Sequence, residues 1–197
     1  MSMISDAELR AVVERVLQRT LGGEDARHGD AQQQATQPAS NLHAAKVVAL
    51  GADHGGYEMK QMLASHLSAA GFQVIDCGTH STESVDYPDF ALAVAEKVSS
   101  GEAWRGIALD GAGIGSCMTA NKVPGVRAAM CYDHATAINS REHNDANVLT
   151  LGAGLIGEVL ARQIVDAWLV TEFGGGRHAR RVEKIIAIEK KYLMSGS

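Results

Sequence analysis

The sequence predicts an α/β fold, a five-stranded parallel sheet with helices on both faces, preceded by one tethered amphipathic helix. Three observations carry this. From Lys46 onward, short β-branched runs alternate with segments of helical periodicity. Glycine-rich turns come after several of those runs, as they do at the carboxyl edge of parallel sheets, where ligands bind. Between Glu24 and His43 large apolar side chains almost vanish, which sets the first helix apart from the rest of the chain.

The elements run in order. Leu9, Val12, Val13, Val16, Leu17 and Leu21 fall at helical spacing between Ser5 and Leu21, with Ser5 and Glu8 as a capping box and Gly22-Gly23 as a stop. The stretch after it is rich in Gln, Ala, Asp, Gly and Thr and cannot bury enough surface to offset its ordering entropy. The chain therefore divides into a helix over 1–22, a flexible linker over 23–44 and a catalytic domain over 45–197. Within that domain the expected strands are Val47–Leu50, Phe72–Asp76, Gly106–Leu109, Val126–Cys131 and Val148–Leu151. The expected helices are Tyr57–Ala70, Pro88–Ser99, Ile114–Lys122, His134–His143, Glu158–Val170 and a last one from about His178. Chemistry is expected in the loops after Leu50, Leu109, Cys131 and Leu151.

Composition narrows the function classes. With 197 residues, 46% of them hydrophobic, the chain can bury one ordinary core with residues to spare. A formal charge of −5 speaks against a nucleic-acid protein. No apolar run approaches the ~20 residues that span a bilayer, so no membrane partner is expected. Cys77, Cys117 and Cys131 are odd in number and lack zinc-knuckle or redox spacing, which fits a reducing, cytoplasmic setting without a metal.

Four motifs can carry chemistry. Asp53 and His54 come after the first strand and can shuttle protons to a sugar oxygen; an Asp that caps a helix beside a surface His is the commoner meaning of such a pair. The loop Asp110-Gly111-Ala112-Gly113-Ile114-Gly115-Ser116 lets backbone N–H groups approach an oxyanion, with Asp110 at its mouth as a base. It lacks the Lys of a P-loop and the spacing of a dinucleotide fingerprint. Arg141-Glu142-His143-Asn144-Asp145 places a second imidazole beside an amide and a carboxylate, although histidines at helix ends are usually structural. Gly174-Gly175-Gly176 leads into Arg177 and Arg181, four apart on one helix face, where two guanidinium forks can clamp a phosphate; a solvated basic helix is the plainer alternative.

Taken together, Asp53-His54-Gly55-Gly56, Thr79 to Pro88, Gly111 to Gly115, Ala120 to Arg127, Arg141 to Asp145 and Gly176-Arg177-His178 resemble one family, in register from about Lys46 to Tyr192. That family is ribose-5-phosphate isomerase B with its galactose- and allose-phosphate isomerase relatives. The resemblance implies a three-layer Rossmann-like fold, no metal or organic cofactor, and a dimer or tetramer whose active sites draw on two subunits. It implies that Asp53 and His54 contact the sugar, with Asp53 assisting ring opening, and that His143 is the acid or base that opens the furanose. Tyr87 would line the pocket, and Gly111, Ala112, Gly113, Ile114 and Gly115 would hold the enediolate. Asn144 would bind substrate, and Arg177 with Arg181 would hold its phosphate.

The departures bear on rate and substrate. Where many members have a cysteine base this chain has Asp110, and where others place a glutamate at the loop–helix junction it has Ser116. A carboxylate with an ordinary pKa of ~3.9 is already ionised at neutral pH, so the exchange is chemically reasonable. Ala112 stands where a hydroxyl residue is common, and Gly154 where an arginine is. The expected reaction is the interconversion of ribose 5-phosphate and ribulose 5-phosphate through an enediolate. The alternatives are a 6-phosphohexose isomerase, for allose or galactose 6-phosphate, and a non-catalytic phosphosugar-binding protein. The amino-terminal helix and linker resemble the encapsulation peptides of bacterial microcompartment cargo. Shell proteins are the partner this implies for residues 5–21, by an apolar stripe that seeks another helix or a groove; the competing readings are a helix docked on its own domain, an interfacial membrane helix and an oligomerisation element.

Overall fold

The computed structural model describes residues 46–194; the helix and linker expected ahead of them lie outside the described residues. Five strands are present: β1 Val47–Ala52, β2 Gln73–Asp76, β3 Arg105–Asp110, β4 Ala128–Met130 and β5 Val148–Gly152. The helices are α1 Tyr57–Ala69, α2 Tyr87–Ser99, α3 Ile114–Ala120, α4 His134–Glu142, α5 Glu158–Val170 and α6 Arg177–Met194. All strand pairs are parallel, in the order β2-β1-β3-β5-β4. The expected α/β architecture of three layers is thus the observed one.

Period-two alternation decides which side chains meet which helices. On one face Val48, Leu50, Ala52, Ile107, Leu109, Leu149 and Leu151 pack against Leu63 and Leu67 of α1, Ala137 of α4, and Ile164, Val165 and Trp168 of α5. On the other, Ala49, Ala108 and Val148 meet Ala91, Val94 and Ala95 of α2 and Ala120 of α3. That second layer is built from small residues so that α2 can come close. A Cβ on Gly106 would lie 2.6 Å from Val94 Cγ1, and one on Gly51 would lie 2.8 Å from Val94 Cγ2.

Three strands, β1, β3 and β5, reach further than their hydrophobic runs suggest. β1 extends to Ala52, which pairs with Leu109, and β3 extends to Asp110, which pairs with Gly152. The loop motifs therefore start from residues already fixed in the sheet. β4, expected from Val126 to Cys131, is shorter, because Val126 turns back to hydrogen-bond Val123 and the Arg127 amide donates to the Asn147 side chain. α3 stops at Ala120 and not at Lys122, since Asn121 spends its side chain on the Ala128 amide and carbonyl.

The end of α5 is closed by buried cations. Arg105, 2% exposed, donates to the carbonyls of Trp168, Leu169 and Thr171, satisfying acceptors that a helix end leaves unpaired. Burial, then repulsion from Arg141, pushes the Arg105 pKa down to about 9, so it stays charged at neutral pH. Arg141 also donates to the Thr171 carbonyl. Together they fix the direction in which the chain leaves α5 toward α6.

Candidate active site

One group of residues sits at the carboxyl edge of the sheet. The Asp53 amide donates to the Leu109 carbonyl at 3.1 Å, which ties the turn after β1 to the end of β3. One carboxylate oxygen, Asp53 Oδ1, accepts from the Gly56 amide at 3.0 Å. The side chain is 8% exposed, and its Oδ2 has no hydrogen-bond partner among the described residues. A Cβ on the intervening Gly55 would be 3.3 Å from Asp53 Oδ1 and 3.7 Å from the Gly111 nitrogen, so the carboxylate and the glycine loop line one space. His54 Nδ1 lies 3.1 Å from the Val85 carbonyl and 3.3 Å from its amide, anchoring the ring to the segment before α2. Tyr87, the first residue of α2, lays its ring on Gly115, where a Cβ would come within 2.5 Å of two ring carbons.

The glycine loop is shaped by Asp110. Its Oδ1 accepts from the Ala112 amide at 2.7 Å and also from the Gly113 amide, and its Oδ2 accepts from the Ser116 amide at 2.8 Å. Burial pushes its pKa up, but the Ser116 hydroxyl and the Ser116, Gly113 and Ala112 amides more than reverse this and hold it below the usual carboxylate range. The sequence suggested a base facing a bound carbonyl compound; the structure instead turns the carboxylate into its own loop, because N–H groups one turn away are the nearest donors. Meanwhile the amides of Gly111, Ile114 and Gly115 have no partner among the described residues. The loop is braced from the turn after β5: Ala153 donates to the Asp110 carbonyl, and Gly154 to the Gly111 carbonyl at 2.9 Å. At Gly154, where an arginine is common in the resembled family, a Cβ would sit 2.9 Å from that same Gly111 oxygen.

A second group lies elsewhere. His143 caps the end of α4, and its Nδ1 meets the Asn139 Nδ2 at 2.8 Å. Asn144 in turn donates to the Asn139 carbonyl at 3.3 Å. The Asn139 side chain thereby orients the His143 ring. The His143 ring stacks on His178, with centroids 4.1 Å apart and planes 3° from parallel. Partial burial, then the charges of His143, Arg177 and Arg181, hold the His178 pKa below its ordinary value. Arg177 Nε donates to His178 Nε2 at 3.3 Å. Arg177 and Arg181 are exposed and form no ion pair among the described residues.

This second group is held by residues that the motifs contained without marking them as supports. Asp145, at a positive φ of 48°, bridges Arg127 at 3.0 Å and Arg141 at 2.8 Å. Arg141 also binds the Ala146 carbonyl, and the Gly174 amide donates to the Glu142 carbonyl. The turn bearing His143 and Asn144 is thereby fastened to the segment that delivers Arg177. Asn139 was legible at i,i+4 from His143; the Arg127–Asp145 contact, 18 positions apart, had no local signal.

The two groups occupy opposite edges of the sheet. α4 returns to the amino edge before β5 begins, as a crossover helix must, so His143 sits where β5 starts while Gly111 sits where it ends. The five residues of β5 alone span about 13 Å. α5 likewise carries the chain back, placing Arg177 beside His143. The expectation that all the motifs cluster beyond the carboxyl ends of the strands holds for Asp53, His54, Tyr87 and the glycine loop. It fails for His143, Asn144, Arg177 and Arg181.

The described domain is similar to known proteins. Residues 48–185 match a family profile described as Ribose/Galactose Isomerase. Ribose-5-phosphate isomerase B of Escherichia coli is 47% identical over 146 residues, which is 74% of this chain and 98% of that protein. The solved ribose-5-phosphate isomerase B of Clostridium thermocellum is 57% identical with a TM-score of 0.73, covering 74% of this chain and 99% of that one. The D-erythrulose-4-phosphate isomerase of Pectobacterium atrosepticum is 44% identical over 70% of this chain and 91% of its own length.

Proposed function

Because the chain belongs to the Ribose/Galactose Isomerase family, we propose that it is an aldose–ketose isomerase that interconverts ribose 5-phosphate and ribulose 5-phosphate through an enediolate. The observation that carries this is the set of amides at Gly111, Ile114 and Gly115 that have no partner among the described residues, near the buried Asp53 carboxylate. Donors already fixed in place stabilise charge as it develops on the carbonyl oxygen, at no reorganisation cost during reaction. An assay of ribulose 5-phosphate formation from ribose 5-phosphate tests the reading. Turnover is expected, and a folded, pure protein without it would contradict the proposal.

The site is completed by a second copy of the chain. His143 and Asn144 of that copy, with Arg177 and Arg181, would face the glycine loop, opening the sugar ring and holding its phosphate. Support comes from the opposite placement of the two groups, and from α6, where Ile185, Ile188 and Leu193 are 47%, 59% and 51% exposed, an apolar surface suited to burial against another subunit.

A second substrate reading has its own support, the relative that acts on a four-carbon ketose phosphate. Comparing kcat/KM across four-, five- and six-carbon sugar phosphates decides between them, and a clear preference for another length would replace the pentose. For residues 1–45 we propose cargo targeting to a microcompartment shell. A fusion of that segment to a fluorescent protein is expected to form foci only when shell proteins are co-expressed; diffuse signal in both conditions would contradict it.

A further inference from the structure

Two carboxylates border the space above the glycine loop, and they differ in what is left of their hydrogen-bonding capacity. Asp110 accepts three backbone amides and the Ser116 hydroxyl. A carboxylate has about four lone-pair sites, so little remains for a substrate, and protonating it would break contacts that shape the loop. Asp53 accepts a single amide, from Gly56. Its second oxygen has no partner among the described residues, the residue is 8% exposed, and the carboxylate borders the glycine loop through Oδ1, 3.3 Å from where a Cβ on Gly55 would sit, a point itself 3.7 Å from the Gly111 nitrogen. The remaining candidates are worse placed. The Ser116 hydroxyl is buried and already bonded to Asp110, and His54 is exposed, with its Nδ1 engaged at Val85.

We propose that Asp53 is the base that carries hydrogen between C2 and C1, and that Asp110 is a positioning residue that holds the loop amides toward the oxyanion. The assignment rests on the isomerase reading above. In the forward direction Asp53 Oδ2 takes the proton from C2 of the open aldose. The C2–H electron pair forms the C1=C2 double bond, and the carbonyl π pair moves onto O1, where the amides of Gly111, Ile114 and Gly115 receive it. The hydroxyl proton on O2 passes to O1. The charge on O2 then collapses to the new carbonyl, and C1 takes back the proton held on Asp53. Nothing is oxidised or reduced overall, and no co-reactant is needed.

The distinction from ring opening can be measured, because ribulose 5-phosphate has its C5 hydroxyl esterified and cannot close a furanose on C2. Wash-in of solvent deuterium at C1 of ribulose 5-phosphate therefore reads proton abstraction alone. Asp53→Asn keeps the oxygen that accepts from Gly56, so the fold is expected to survive, and exchange is expected to fall about 10³-fold, within the range of a lost general base. Asp110→Asn is expected to retain measurable exchange at a reduced rate. Exchange at the wild-type rate in Asp53→Asn would overturn the assignment and confine Asp53 to ring opening. If Asp53→Asn does not fold, the same measurement on Asp53→Ala with added formate serves, where restored exchange supports the assignment and unrestored exchange counts against it. A wild-type chain that neither exchanges nor isomerises would remove the isomerase reading, and this assignment with it.

Discussion

The two edges of the sheet build their chemistry from different materials. At the carboxyl edge the working parts are mostly backbone: amides freed by glycine spacing, held by Asp110 from within and by Ala153 and Gly154 from the turn after β5. At the amino edge they are side chains: two stacked imidazoles and two exposed guanidiniums, fastened by the Arg127–Asp145–Arg141 bridge. The first region should fail by steric intrusion and tolerate few substitutions. The second should fail by lost charge, position by position.

The largest steric effect is expected at Gly115. Alanine there would put a Cβ 2.5 Å from the Tyr87 ring, forcing the ring or the loop to move. Steady-state kinetics should show kcat falling by about 10²–10³, as for a displaced oxyanion donor, with the melting temperature little changed. Next come Arg177→Ala and Arg181→Ala. On the proposed assignment each would remove one charge-assisted contact to phosphate, worth about 2 kcal/mol, so KM should rise about 30-fold with kcat less affected. Equal losses in kcat would blur the contrast between the two edges.

Asp145→Ala separates support from chemistry. It strips two arginines of their shared carboxylate, one of them the buried Arg141, and should cost about 2 kcal/mol of stability in denaturant titration. Rescue is expected in Asp145→Asn, which also tolerates a positive φ and keeps one acceptor. The smallest effect concerns acid. The folded pKa of Asp110 lies below its unfolded value of about 3.9, so its stabilisation is complete above that value and lost as pH falls through the folded pKa. The difference in melting temperature between wild type and Asp110→Asn should therefore shrink between neutral pH and pH ~3.

The same contrast explains what could be read in the sequence. Strands and helices of the doubly covered sheet announce themselves by local periodicity, and Glu158–Val170 falls where its apolar spacing puts it. The glycine loop was legible for a related reason, since its spacing is local. Which way Asp110 points was not, because a carboxylate beside glycines can face a ligand or its own amides, and only the backbone path decides. The edge on which His143 lies is set by the return of α4, a topological fact rather than a motif. Its stacking on His178 joins residues 35 positions apart that share no periodic signal.

The most direct test of the central claim, that the two edges meet only across two copies, is a mixing experiment. Asp53→Asn and His143→Asn proteins, each expected to be inactive toward ribose 5-phosphate, are denatured together, refolded and assayed. Random pairing gives mixed dimers with one intact site each, so activity should return to about a quarter of wild type. Activity that stays at the level of the separate variants would contradict the account.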